Sequence, residues 1–237
     1  MKKYGLTAEF IEQWGKKLFR IKALISFGSV EAGELGGYVE KEDNLAQDGD
    51  AWVYGNARVY GDAEVYGNAM VYGNARVYGN AEVYGDAEVY GNARVYDDAR
   101  VCGDAEVYGN ARVCGNAEVC GDAEVCDDAR VCGNARVCGD ARVYGDAMVY
   151  GNADYLLIGR IGSRFSFTTF FKNKDKGITV SCGCFLGTIA EFRAKVTDTH
   201  GNNKHAKIYN LAADMAELQI LGEEYFDKLN ANKSEPF

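Results

Sequence analysis

Residues 53–76 read VYGNAR VYGDAE VYGNAM VYGNAR, four six-residue units that differ mainly at their last position. The frame extends from there: valine recurs every six residues from Val53 to Val149, seventeen times without a miss. With few departures each unit is Val, then Tyr or Cys, Gly, Asn or Asp, Ala and one variable residue. Gln47 to Trp52 forms a degenerate unit ahead of the series.

A period of six belongs neither to a helix nor to a hairpin. It fits a strand of about three residues followed by a corner. In Ala57-Arg58-Val59, alternation sends Ala57 and Val59 to one side and Arg58 to the other, so the apolar pair forms the inside. Tyr60-Gly61-Asp62 then turns the corner, because Gly accepts positive φ and Asp bonds to neighbouring backbone. Three such sides close an eighteen-residue triangular coil, and stacked coils bond to one another through the backbone. Eighteen units over residues 47–154 make about six coils, a prism about 29 Å tall at about 4.8 Å per rung. The expected fold is therefore mainly β: a parallel β-helix (47–154) with an N-terminal cap (1–46) and a small C-terminal α+β domain (155–237).

The repeat resembles the hexapeptide repeats of left-handed parallel β-helix proteins, in which an aliphatic residue and a small residue four later fill the prism. Left-handedness is what that resemblance implies. Tyr or Cys stands where that family has a small residue after the aliphatic one. The flanks carry a narrower likeness. Phe19 to Leu24, Gly36-Gly37-Tyr38-Val39 and Asn44-Leu45 resemble the N-terminal cap of uncharacterised bacterial and prophage hexapeptide-repeat proteins. Gly162-Ser163-Arg164, Cys182-Gly183-Cys184-Phe185 and Glu191-Phe192 resemble a C-terminal module of the same proteins. That likeness implies a fold and a prophage context, and no activity.

Residues eighteen apart stack one rung apart, so the variable positions sort into three outward columns. One is Arg58, Arg76, Arg94, Arg112, Arg130 and Met148; the next is Trp52, Met70, Glu88, Glu106, Glu124 and Arg142; the third is Glu64, Glu82, Arg100, Glu118, Arg136 and Asp154. In-register like charges repel unless countered, which makes the five arginines a candidate interaction face for a protein partner or a second copy of this chain. The corners stack as well. Tyrosine columns give way to cysteines, with Cys120 one rung from Cys102 and Cys138, and Cys114 one rung from Cys132, a spacing open to a disulfide or soft-metal ladder and equally to a tolerant corner position. Asp86, Asp104, Asp122 and Asp140 form a line that either closes turns or holds a hard cation loosely.

The composition agrees with regular turns: 29 glycines accompany a single proline. Residues 47–154 hold 8 Arg, no Lys, 13 Asp and 6 Glu, a net −11 within a chain of −9, which argues against direct binding of nucleic-acid phosphates. The absence of a secretory leader pattern or long apolar run predicts a cytoplasmic protein with reduced thiols and no membrane span.

In the cap, Thr7 is positioned to open a short helix with Phe10, Ile11 and Trp14 on one face, and Leu18 to Phe27 alternates like a strand. After Asp154 the period breaks. Tyr155–Ile158, Phe165–Phe171 and Ile178–Cys182 read as strands, Thr188 to Glu191 as a capping box opening a helix to about His200, and Lys204–Phe226 as a second helix with Ala212, Met215, Ala216 and Leu218 on its apolar positions. Cys182, Cys184, His200 and His205 have tolerable zinc spacing. Equally, the two cysteines alternate on one strand as core, and His200 near a helix end suits the dipole. No other cofactor is expected.

Three functions compete. A non-catalytic scaffold for protein interaction fits best. An acidic decoy imitating nucleic acid suits the net charge, although the arginine column interrupts it. A hexapeptide-type acyltransferase is disfavoured, since residues 47–154 contain no histidine to act as base and no protruding loop.

Overall fold

A computed structural model describes residues 1–222 of the chain. Strands β1 (Tyr4–Gln13), β2 (Lys16–Ala23) and β3 (Leu35–Val39) precede seventeen short strands of two to four residues, β4 (Trp52–Val53) to β20 (Met148–Val149). These seventeen form three parallel sheets, one per side of the prism. Arg58, Arg76, Arg94, Arg112, Arg130 and Met148 lie in register along one of them. Every valine of the series and every alanine between Ala51 and Ala147 is at most 1% exposed, so the inside is a two-residue alphabet. Such an interior closes because Val and Ala fill a narrow triangle without a polar atom. Each rung donates to the next, as in Arg76 N–H to Ala93 O and Arg94 N–H to Ala111 O, both 2.9 Å.

The corners need left-handed backbone. Gly79 has φ +77°, and a Cβ there would lie 2.8 Å from the Asp97 amide nitrogen of the next coil. Asp97 and Asp127 occupy this corner position at φ 60° and 59°. Their carboxylates accept from the amides one rung on, Gly115 N–H at 3.3 Å and Gly145 N–H at 3.1 Å, which offsets the αL cost.

The N-terminal segment is a strand rather than the expected helix. β1 pairs antiparallel with β2, Phe10 opposite Phe19, and β2 passes through β3 into the arginine side of the prism. The spacing of Phe10, Ile11 and Trp14 suits a helix, but β3 and β2 extend the edge of the first coil. The outer edge of β2 offers a row of unpaired backbone groups, and pairing with it decides the conformation of β1. Trp14 turns the hairpin tip and sets its ring edge-on to Tyr60 and Tyr78, at 5.9 and 6.1 Å. Trp52, expected on an outward face, is fully buried under the cap against Phe27 and Tyr4. Asn44 is likewise buried. Its amide donates to Gly61 O and Ala63 O at 3.1 and 2.8 Å and its oxygen accepts from Glu40 and Lys41 N–H, so one side chain completes the missing rung.

The other end is covered by a four-stranded antiparallel sheet, β21 (Tyr155–Ile161), β22 (Ser166–Lys172), β23 (Ile178–Cys182) and β24 (Phe185–Thr188), one strand more than expected. Alternation on β22 divides its work: Phe171 enters the prism core, and Phe170 faces the helices α1 (Ile189–His200) and α2 (Lys204–Leu221). The capping box is as read, with Glu191 N–H donating to Thr188 Oγ1 at 3.3 Å and Gly201 ending α1. On α2, Ala212 and Ala216 are buried while Met215 and Leu218 face outward beside Leu211. The expected continuation to Phe226 lies outside the described residues beyond Gly222.

Because coils bond only to their neighbours, deleting residues 77–94 removes one member from every column and rejoins the frame at Val95. The shortened protein is expected to fold with the same far-ultraviolet circular dichroism per residue; an aggregate would show that the coils are not independent units.

Candidate functional site

The arginine column differs from the other two faces in how its charges are met. On the third face Arg136 lies 3.0 Å and Arg100 3.8 Å from glutamates one rung away. On the glutamate face Arg142 pairs with Glu124 at 3.2 Å. Tyrosines at the corner reach back to this face: Tyr72 donates to Glu88 at 2.6 Å, Tyr90 to Glu106 at 2.8 Å and Tyr144 to Glu124 at 2.6 Å. The rings themselves stack, Tyr72 on Tyr90 at 4.7 Å with planes 3° apart. Burial, then the hydrogen bond to glutamate, holds Tyr72, Tyr90 and Tyr144 well above the ordinary phenol range.

Nothing equivalent serves the arginines. Among the described residues Arg76, Arg94, Arg112 and Arg130 have no carboxylate within 4.0 Å, and Arg58 bonds only to the Gln13 side chain of the hairpin. The neighbouring Tyr60, Tyr78 and Tyr96 rings stack at 5.0 and 5.1 Å, and the Tyr60 hydroxyl is buried without a partner. Burial pushes Tyr60 up to about 12, with Arg76 and Arg58 pulling against it. Four guanidiniums in register therefore face outward with their donors uncommitted, beside an aromatic edge.

The glutamate face opens into a trough of about 520 Å³ whose lining includes Asp50, Asp86, Glu88, Asp104 and Glu106. Asn68 donates to Asp86 at 3.0 Å, part of the turn-closing ladder at these corners. Among the described residues, ligand atoms of three Cys, His or acidic groups come within 4.8 Å of one another only at Glu118, Cys120 and Cys138. The line from Asp86 to Asp140 does not form such a set.

Four of the eight cysteines are not free thiols as expected. Cys114 bonds to Cys132 and Cys120 to Cys138, each pair on adjacent rungs with Cα atoms 4.6 Å apart, inside the disulfide range without any backbone shift. Cys102, Cys126, Cys182 and Cys184 remain free.

In the C-terminal domain the four proposed zinc ligands are not assembled. Gly183, at φ +59°, lies in the turn joining β23 to β24, so Cys182 and Cys184 do not alternate on one strand. Cys182 accepts from Thr168 Oγ1 at 3.2 Å, and Cys184 is exposed. With His200 they line a cleft to which His205 does not contribute, although the two imidazole rings lie 5.7 Å apart. Sequence reasoning missed Arg164, Lys195, Phe192 and Tyr209 in this cleft, since they come from a turn and two helices far apart in the chain.

Seventeen parallel strands, an all-Val/Ala interior and a repeated corner define a β-solenoid repeat protein, and no helix among the described residues is long and apolar enough to cross a membrane. Its coils are similar to the YdcK Beta solenoid repeat, whose profile matches residues 51–64, 63–79, 71–89, 87–103 and 141–153. Residues 104–140, left unmatched, hold most of the corner cysteines. No curated protein was found to match the chain.

Proposed function

We propose that this protein is a non-catalytic interaction scaffold whose arginine column docks on stacked carboxylates of a protein partner. The observation that carries this reading is the contrast between faces: glutamates are engaged by tyrosines and arginines within the molecule, whereas Arg76, Arg94, Arg112 and Arg130 are not. A second copy of the chain offers a matching surface, because its Glu88 and Glu106 stack at the same rung spacing and each gives only Oε2 to a tyrosine, leaving Oε1 for a further donor. An isolated surface pair contributes about 0–1 kcal/mol, but a ladder on a rigid prism has little backbone freedom left to lose, so several pairs add. The likeness of both flanks to bacterial and prophage hexapeptide-repeat proteins supports a phage-derived setting.

Salt tests the reading. The screening length falls from about 10 Å at 0.1 M to about 3 Å at 1 M, so light scattering should show the assembly loosening as salt rises. Arg94→Glu combined with Arg112→Glu should abolish it at low salt. An assembly indifferent to both would have to use an apolar surface, such as the outward Leu211, Met215 and Leu218 of α2.

The acidic trough supports a second reading, a decoy for a nucleic-acid-binding protein. Capture of such a protein would survive the arginine reversals and fail on neutralising Asp86, Glu88, Asp104 and Glu106.

A further inference from the structure

The cleft in the C-terminal domain has a chemistry of its own, separate from the charged faces of the prism. It holds about 240 Å³ where the β21–β22 turn, the β23–β24 turn and the last turns of α1 meet. Its floor is apolar and aromatic. Phe192 sets its ring edge-on to Tyr209 at 5.6 Å and lies 5.7 Å from Phe185, with Val196 beside them. Tyr209 is held firmly: a Cβ on Gly162 would fall 1.8 Å from its hydroxyl, so the turn lies directly against the phenol. His200 stacks on the same ring at 5.7 Å.

The rim is basic. Arg164 and Lys195 line the cleft, with the His200 imidazole beside them, and no carboxylate does, in a chain that carries 35 acidic against 26 basic side chains. Lys195 pairs with Asp198 at 3.3 Å, but both groups are well exposed and Asp198 is not part of the lining, so that contact is weak. Ser163, Ser166 and Thr199 add hydroxyls at the same rim. An apolar floor under converging cations is the arrangement that binds an organic anion with its body down and its charge up. The volume lies just below the usual range of small-molecule sites, about 300–1,000 Å³, which suits a fragment-sized ligand.

We propose that this cleft binds a small carboxylate with an aryl or short acyl body, the carboxylate set against Arg164, Lys195 and His200 and the body resting on Phe185, Phe192 and Val196. The planar fork of Arg164 matches a carboxylate through two parallel hydrogen bonds, and Lys195 supplies a second charge from α1.

The test uses the full-length chain and 3-phenylpropanoate as probe, followed by amide and methyl resonances in two-dimensional NMR. Saturable shifts confined to Gly162, Gly183, Val196 and their neighbours at millimolar probe are expected. Arg164→Gln with Lys195→Gln should weaken binding at least about tenfold while the resonances of the prism stay in place, which reports that the variant is folded. The uncharged 3-phenylpropanamide should bind at least about tenfold more weakly than the acid, and inorganic phosphate, which lacks the apolar body, weakly or not at all. Absence of saturable shifts in the cleft would overturn the proposal. So would equal binding of acid and amide, which would reduce the site to an apolar crevice, or equal binding of phosphate and acid, which would reduce it to a patch of positive charge.

Discussion

Val95→Asp is expected to remove most of the stability of the central coils. Val95 is fully buried, with Val77 and Val113 directly below and above it. No polar atom of the Val/Ala interior is available to a carboxylate placed there, and burying an unpaired charge costs far more than losing a methyl group. Domains have about 5–15 kcal/mol in hand, so a penalty of several kcal/mol is decisive. The milder Val95→Ala should cost about 1–3 kcal/mol through lost burial and a cavity. Because each coil touches only its neighbours, amide exchange should accelerate first in residues 77–113 and last beside the cap and the C-terminal sheet. The aspartate's folded pKa lies above its unfolded value, so the variant should regain stability as the pH falls below that raised value. Chemical denaturation of both variants at two pH values checks all of this; an aspartate no worse than the alanine would mean that Val95 does not face the interior.

Alkali should unfold the prism in one steep step above about pH 10. Tyr66, Tyr72, Tyr90 and Tyr144 are raised by burial first and then by the hydrogen bond each donates to a glutamate, and Tyr60 is raised by burial up to about 12. A group whose folded pKa exceeds its unfolded value of about 10 contributes stability that is fully present below pH 10 and lost as the pH climbs through the folded pKa. Several such groups share the same window, so their losses add. Phenolate absorbance should therefore lag behind that of free tyrosine and then rise together with the loss of circular dichroism. Tyr72→Phe with Tyr90→Phe should make the fall in stability shallower. Phenolate forming while the dichroism is intact would show that these hydroxyls are not held as described.

The prism was legible in the sequence because valine and alanine at fixed phase leave no other way to bury themselves, and register in eighteens then places every column. What connects the columns was not. Tyr72 and Glu88 are sixteen residues apart, so their hydrogen bond crosses from one column to another and leaves no trace in a period of six or eighteen. The ends were harder, for a different reason. Phe10, Ile11 and Trp14 carry a helix-like spacing that pairing with the open edge of β2 overrides. Trp52 occupies a position that faces outward in every later coil, and only the folded cap buries it. The cysteine pairs fell in the right columns, but spacing alone does not decide between bonded and free sulfurs. In the last domain, Cys182-Gly183-Cys184 looked like a strand because alternation was read through a glycine that in fact reverses the chain.

The triangular cross-section also fixes how this chain can change length. Every unit of six residues advances the path by a third of a turn, so a residue's number sets both its height and its compass bearing. Inserting or removing eighteen residues leaves all bearings intact. A six-residue insertion after Val89 would swing everything beyond it through a third of a turn, splitting the arginines between two sides and turning the C-terminal cleft to a new heading relative to the cap. The same insertion between Cys120 and Cys138 would leave those two sulfurs on different edges and abolish their bond. The prism thus behaves as an indexing shaft. Gains and losses that keep its faces whole come in steps of three units, and any other step redirects what the two ends present to each other.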